Sequence, residues 1–145
     1  MNRPIPNPDL PDCIIIVMDV FYDTTTYTDQ LYRPHRGFVS LETPIQSILT
    51  IAKDLTDGRD IFLVSTKPKE EEIQVRHWLK RNLDILPQFY DVCMYKGDGV
   101  KTKEEIKEHI FNYKIKNRFN ISAVLDKDQE CDFWEKLNLP VLKIK

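Results

Sequence analysis

Four places in the sequence set oxygen-bearing or cationic side chains directly behind an apolar run. Ile14-Ile15-Ile16-Val17-Met18 runs into Asp19, and Ile61-Phe62-Leu63-Val64 runs into Ser65-Thr66-Lys67. Val92-Cys93-Met94-Tyr95 precedes a lysine-bearing stretch from Lys96 to Lys103, and the run from Ile121 to Leu125 ends on Asp126-Lys127-Asp128. Carboxylates offer oxygen ligands to a hard cation such as Mg2+, while lysines and a hydroxyl suit phosphate oxygens. The residue types are therefore those of phosphate chemistry with magnesium. Each residue alone has an ordinary reading: an aspartate closing a strand is commonly structural, a serine there often starts a helix, and a lone lysine is usually surface. Their recurrence at successive strand ends is what marks a site.

To meet in space, these residues need elements that bring the strand ends together. Residues 1–12 hold four prolines and read as an irregular lead-in, and 13–145 read as a single domain. The short continuous apolar runs are of the type buried in a parallel sheet. Residues 22–43 show no clear period and read as a loop or small excursion. Thr43-Pro44 is expected to open a helix, with Thr as N-cap and Pro at the first helical position. Ile45, Ile48, Leu49, Ala52 and Leu55 give that helix an apolar face that ends near Asp57-Gly58. A second helix is expected over 69–82 with Ile73, Trp78 and Leu79 inward, and a third from about Thr102 to Lys116. A short helix around Phe133, Trp134 and Leu137 leads to a last strand over 141–144. The alternation predicts an α/β fold, a parallel sheet with helices on both faces. In such sheets ligands bind at the carboxyl ends of the strands, near the point where strand order reverses. All four segments would then line one crevice.

Composition narrows the class. A chain of 145 residues with 41% hydrophobic and 30% charged residues is that of a soluble globular protein. No apolar run approaches the roughly 18 residues of a membrane span. The proline-rich start lacks the apolar core of a signal peptide, so a cytoplasmic, intracellular home is expected. Cys13, Cys93 and Cys131 are widely spaced without a CxxC pair, which fits reduced buried thiols. His35, His77 and His109 lack metal-ligand spacing. A net charge of −2 gives no global basic footprint, and the lysines around the third helix are interleaved with Glu104, Glu105 and Glu108 as on a solvated helix face.

The order of these residues resembles the haloacid dehalogenase (HAD) superfamily of phosphotransferases, with a HAD-like Rossmannoid fold. It looks most like the phosphatase domain of the polynucleotide kinase/3′-phosphatase family found in bacteriophages. The similarity runs from about Ile14 to Ile144; "GDGVKTKEEIKEHIF", "AVLDKDQECDFWEKLNLPVLKI" and "VRHWL" carry its best local matches. The resemblance implies that Asp19 is the nucleophile that would form an aspartyl-phosphate. It implies that Ser65 bonds a phosphoryl oxygen, and that Lys101, with Lys103 as the alternative, neutralises charge between nucleophile and phosphate. It also implies Mg2+ held by Asp19, by the backbone carbonyl of residue 21 and by Asp126, with Asp128 as helper.

The sequence departs from the family in its first motif, DxDxT. The second aspartate, the general acid, is replaced by Phe21, and a phenyl ring cannot carry a proton. Tyr22-Asp23 stands where the family has Gly-Thr, which leaves Asp23 as a substitute acid. The fourth motif has Lys127 in place of its second acid. The second has Ser65-Thr66-Lys67 in place of Ser-Gly-Arg, with Thr66 and Lys67 as substrate contacts; Lys67 is a point charge and not a bidentate clamp. Only about twenty residues separate Phe21 from Pro44, so the fold is expected to carry little or no cap. An open cleft suits a phosphate at the end of a large molecule such as a nucleic-acid strand, and Arg33, among Tyr27, Tyr32, His35 and Arg36, is the candidate contact. Three readings follow: a polynucleotide 3′-phosphatase-like enzyme, a degenerate member that binds a phosphorylated end or a protein partner, and a nucleotidase on free nucleotides. Restoring the acid by Phe21→Asp is expected to raise activity in the first two.

Overall fold

The computed structural model describes residues 7–23, 43–56, 59–95 and 102–145. Arg33, Lys101 and the side chain of Asp23 lie outside the described residues. Strand β1 (Asp12–Val17) is buried from Cys13 to Val17 and occupies the middle of the sheet. It pairs in parallel with β4 (Asp60–Pro68) on one side and β6 (Asn120–Lys127) on the other. β5 (Tyr90–Tyr95) lies outside β4 and β7 (Val141–Ile144) outside β6, both parallel. The order is β5-β4-β1-β6-β7. A central strand covered on both faces has to be apolar at every position, which is why residues 13–17 do not alternate.

Alternate residues of β1 feed two cores. Ile14 and Ile16 pack with Ile48, Leu49 and Ala52 of α1 (Gln46–Leu55) and with Val75, Trp78 and Leu79 of α2 (Glu72–Asn82). Cys13, Ile15 and Val17 pack with Ile106 and Ile110 of α3 (Lys103–Ile110) and with Phe133 and Trp134 of α4 (Asp132–Lys136). Successive connections from β1 step outward to β4 and β5, then the chain returns to β6 on the other side. The order therefore reverses beside β1, and the carboxyl ends of β1 and β6 border the crevice.

Three local expectations change. Thr43–Pro44 forms a short strand, β3, antiparallel to β2 (Tyr22–Asp23). Helix α1 starts at Gln46, with Ile45 at the N-cap position and no side-chain cap. Main-chain pairing takes the residues that would have capped the helix, and the Ile45 N–H donates to the Phe21 carbonyl at 2.7 Å. Ile73 is 70% exposed rather than inward, because α2 turns Val75, Trp78 and Leu79 to the core. At roughly 100° per residue, Ile73 sits about 200° from Val75. The third helix is α-helical to Ile110 and continues as a π-helical stretch, Phe111–Ile115. Asn117 after it has φ 67°, a left-handed position that asparagine tolerates well. At the other end of the sheet the lead-in is tied down by Asn120, whose side-chain amide donates to the carbonyls of Asn7 at 2.7 Å and Leu10 at 3.0 Å.

Candidate functional site

The chain leaves β1 through a single 3-10 turn, Met18–Phe21, in which Met18, Val20 and Phe21 are buried. Asp19 is the residue of that turn left partly open, its side chain 16% exposed. Lys103 reaches it from the first position of α3, donating to Asp19 Oδ2 at 2.9 Å and to Glu130 Oε1 at 3.1 Å. A capping box fixes that helix start: the Glu105 N–H donates to the Thr102 hydroxyl at 3.1 Å, and the Thr102 N–H to Glu105 Oε1 at 3.2 Å. Burial opposes the charge on Lys103, but Asp19 and Glu130 outweigh it and hold the ammonium pKa well above its ordinary value. The lysine stays charged through the working pH range.

Behind this open tier lies a sealed one. Lys107, one turn along α3 from Lys103, is 2% exposed and Asp126 is fully buried. Lys107 Nζ donates to Asp126 Oδ2 at 2.6 Å and to the Glu130 carbonyl at 2.9 Å. The indole of Trp134 donates to the same Asp126 oxygen at 2.9 Å, and the Lys127 N–H to Oδ1 at 2.7 Å. Burial pushes the Asp126 pKa up, against the pull of Lys107, Trp134 and the Lys127 amide.

The second segment divides its hydroxyls. Ser65 Oγ accepts from the Lys67 N–H at 3.2 Å, so it serves the strand end. Thr66 is 1% exposed and its Oγ1 makes no hydrogen bond. Val64, two residues before it, packs in the core below α3, the helix that carries Lys103. Glu130 Oε2 is likewise buried without a hydrogen bond. Thr66 lies near the carboxyl end of β4 and Glu130 in the turn that follows β6. Lys67 is itself buried at the end of β4.

These residues do not fit the magnesium site that the sequence leads one to expect. A small hard cation needs several oxygens with free lone pairs in octahedral array. Both oxygens of Asp126 are engaged by protein donors, one of them an ammonium. The Phe21 carbonyl accepts from Ile45 and keeps one lone pair, and Asp128 stands exposed in the turn Asp128–Glu130. Among the described residues, no group of three or more His, Cys, Asp or Glu side chains is placed to hold a metal. The Phe21 ring is fully buried in the core that carries α1 and α2, whereas Asp19 is held from α3. The ring therefore points into packing, not into the cleft.

The chain from residue 13 to 145 matches the family described as the polynucleotide kinase PNKP phosphatase domain. The protein belongs to that family. Two solved structures illustrate the shared fold of the PNKP phosphatase domain. A chain in the Pnkp1/Rnl/Hen1 RNA repair complex superposes with a TM-score of 0.80 at 19% identity, covering 99% of this chain and 45% of that one. A chain in a further Pnkp1/Rnl/Hen1 complex gives 0.79 at 19%, covering 99% and 49%. This chain thus spans less than half the length of each. No curated protein sequence matches it closely enough to count as a relative.

Among the described residues the lysine on Asp19 is Lys103, the alternative to Lys101. Lys107 sits in sequence among alternating charges that look like a solvated helix face, and Glu130 lies in a short turn with no motif of its own. The one sequence signal for Lys107 is its four-residue spacing from Lys103, which puts both on one helix face. No helix among the described residues is long and apolar enough to cross a membrane.

The cysteines are free and buried, and burial pushes their thiols up, Cys13 to about 12 and Cys93 and Cys131 to about 11. Each raised value means that the neutral thiol favours the folded state below the ordinary thiol pKa. That contribution is lost as pH rises from about 9 towards 11. Urea midpoints are expected to fall over this window more steeply than in a Cys13→Ala/Cys93→Ala/Cys131→Ala variant. Equal slopes would remove the thiols as the cause.

Proposed function

We propose that the domain holds the phosphorylated end of a nucleic-acid strand between the ends of β1 and β6, and that its turnover is suppressed. Lys103 neutralises charge between Asp19 and the phosphate, and the unpaired hydroxyl of Thr66 donates to a phosphoryl oxygen. Lys67 adds positive charge at the end of β4; Lys101, carried over from the family pattern, and Arg33, from the mixed aromatic and basic stretch around it, are further phosphate contacts. Asp19 remains a competent nucleophile, but expulsion of an alkoxide then lacks its acid. The observation that carries this reading is Phe21, which is fully buried where the family has its proton donor. Positioned acid catalysis is typically worth ~100- to 10,000-fold. Similar chains occur in assemblies with Rnl and Hen1, which supports a protein partner for this one as well.

The test pairs binding with phosphate release on a short 3′-phosphorylated oligonucleotide. Binding is expected to be at least about tenfold tighter than to the 3′-hydroxyl strand. Release is expected to be slower than that of an acid-bearing family member by ~100-fold or more, and to vanish in Asp19→Asn while binding persists. Release at the rate of such an enzyme would overturn the suppressed-turnover reading. Equal binding of free nucleoside 3′-monophosphate would shift the ligand from strand ends to nucleotides.

A further inference from the structure

We propose that Lys107 is a permanent cation standing in for the divalent ion, so that this site takes its phosphate ligand without metal. The inference rests on the phosphate-binding reading above for its ligand, but its core claim concerns Lys107 and Asp126 alone. Three carboxylates, Asp19, Asp126 and Glu130, converge on α3. With Lys103 alone they would leave two negative charges, the deficit that a divalent ion would fill. Lys107 removes one of these, and does so from inside: its side chain is 2% exposed and its ammonium lies 2.6 Å from Asp126 Oδ2, 2.9 Å from the Glu130 carbonyl and 3.9 Å from Glu130 Oε2.

The geometry makes the two cations mutually exclusive. Any ion bound to Asp126 Oδ2 would lie within a few ångströms of the ammonium, and like charges so close in a buried site repel strongly. The other oxygen is turned to the Lys127 N–H at 2.7 Å and is equally sealed from solvent. Trp134 completes the seal by donating its indole N–H to Oδ2 and packing with Phe111 and Phe133. A metal could enter only by displacing a lysine that makes two hydrogen bonds. Lys103 remains in the partly open tier as the cation that meets the ligand.

The experiment uses the full chain and reads metal directly. Mn2+ is titrated with detection of the free ion by electron paramagnetic resonance, alongside oligonucleotide binding in EDTA and in Mg2+. Wild type is expected to bind no Mn2+ at micromolar concentrations, and its affinity for the 3′-phosphorylated strand is expected to be the same within about twofold in EDTA and Mg2+. Lys107→Met, which uncovers Asp126 and Glu130, is expected to gain an Mn2+ site and a melting temperature that rises with added metal. Lys107→Gln serves the same purpose if Lys107→Met does not fold. Micromolar Mn2+ binding by wild type, or a tenfold loss of strand affinity in EDTA, overturns the proposal, as does failure of the folded Lys107 variants to bind Mn2+. If no strand binds in either buffer, the phosphate-binding reading fails while the Mn2+ titrations still decide the role of Lys107.

Discussion

Phe21→Asp yields a less stable protein that releases no more phosphate than wild type. The ring is fully buried and packs in the same core as Met18, Val20, Ile48 and Leu49. Deleting a ring of this kind from a packed core costs about 3–5 kcal/mol, since the surroundings collapse only in part. A carboxylate among these apolar neighbours would add a desolvation penalty, or would stay protonated. Nor would it reach the chemistry, because Asp19 is held from the opposite face by Lys103. Urea unfolding and an oligonucleotide phosphate-release assay check both halves. An unchanged midpoint together with a tenfold gain in release would show that residue 21 can swing into the cleft. The turn that carries residue 21 is itself part of the core, through Met18, Val20 and Phe21.

The second large effect concerns the sealed pair. Lys107→Met is expected to destabilise the domain by about 3–5 kcal/mol, because Asp126 would be left buried without its counter-charge. Domains of this kind have only about 5–15 kcal/mol in total, so the loss is a large share. Adding Asp126→Leu removes the orphaned charge, and the double variant is expected to recover most of the deficit, because a buried ion pair and an apolar pair of similar volume are often close in stability. A double-mutant cycle on urea midpoints measures the coupling directly. A Lys107→Met variant within about 0.5 kcal/mol of wild type would mean that Asp126 is already neutral in the folded protein.

Much of the architecture was legible because a parallel sheet buried on both faces forces continuous apolar runs, and these stand out at 13–17, 61–64 and 92–95. What failed were choices that local sequence leaves open. Thr43-Pro44 is a good helix start, yet its backbone found a better partner in Tyr22–Asp23. Ile73 fits a helix, but which face of a helix is inward is set by the neighbours that Val75 and Trp78 find. In the site, Asp19 and Asp126 were legible as strand-end carboxylates. Lys107 was not, since a lysine is normally a surface residue and its burial is made tolerable by partners far along the chain, Asp126 and Glu130. Tertiary pairing of that kind leaves no periodic trace.

The position of β1 also sets the order in which the molecule can be built. It leaves the ribosome before its neighbours, yet it sits between β4 and β6 and can hydrogen-bond on both edges only after β6 has been made. Asp19 waits less long than its strand, since Lys103 is 84 residues away and precedes β6 in the chain. Contacts of such sequence separation form slowly, and an apolar central strand without its second neighbour is a template for wrong pairing. A nascent or truncated chain lacking β6 would expose Ile14 to Val17 along one bare edge, making this stretch a natural point of chaperone capture.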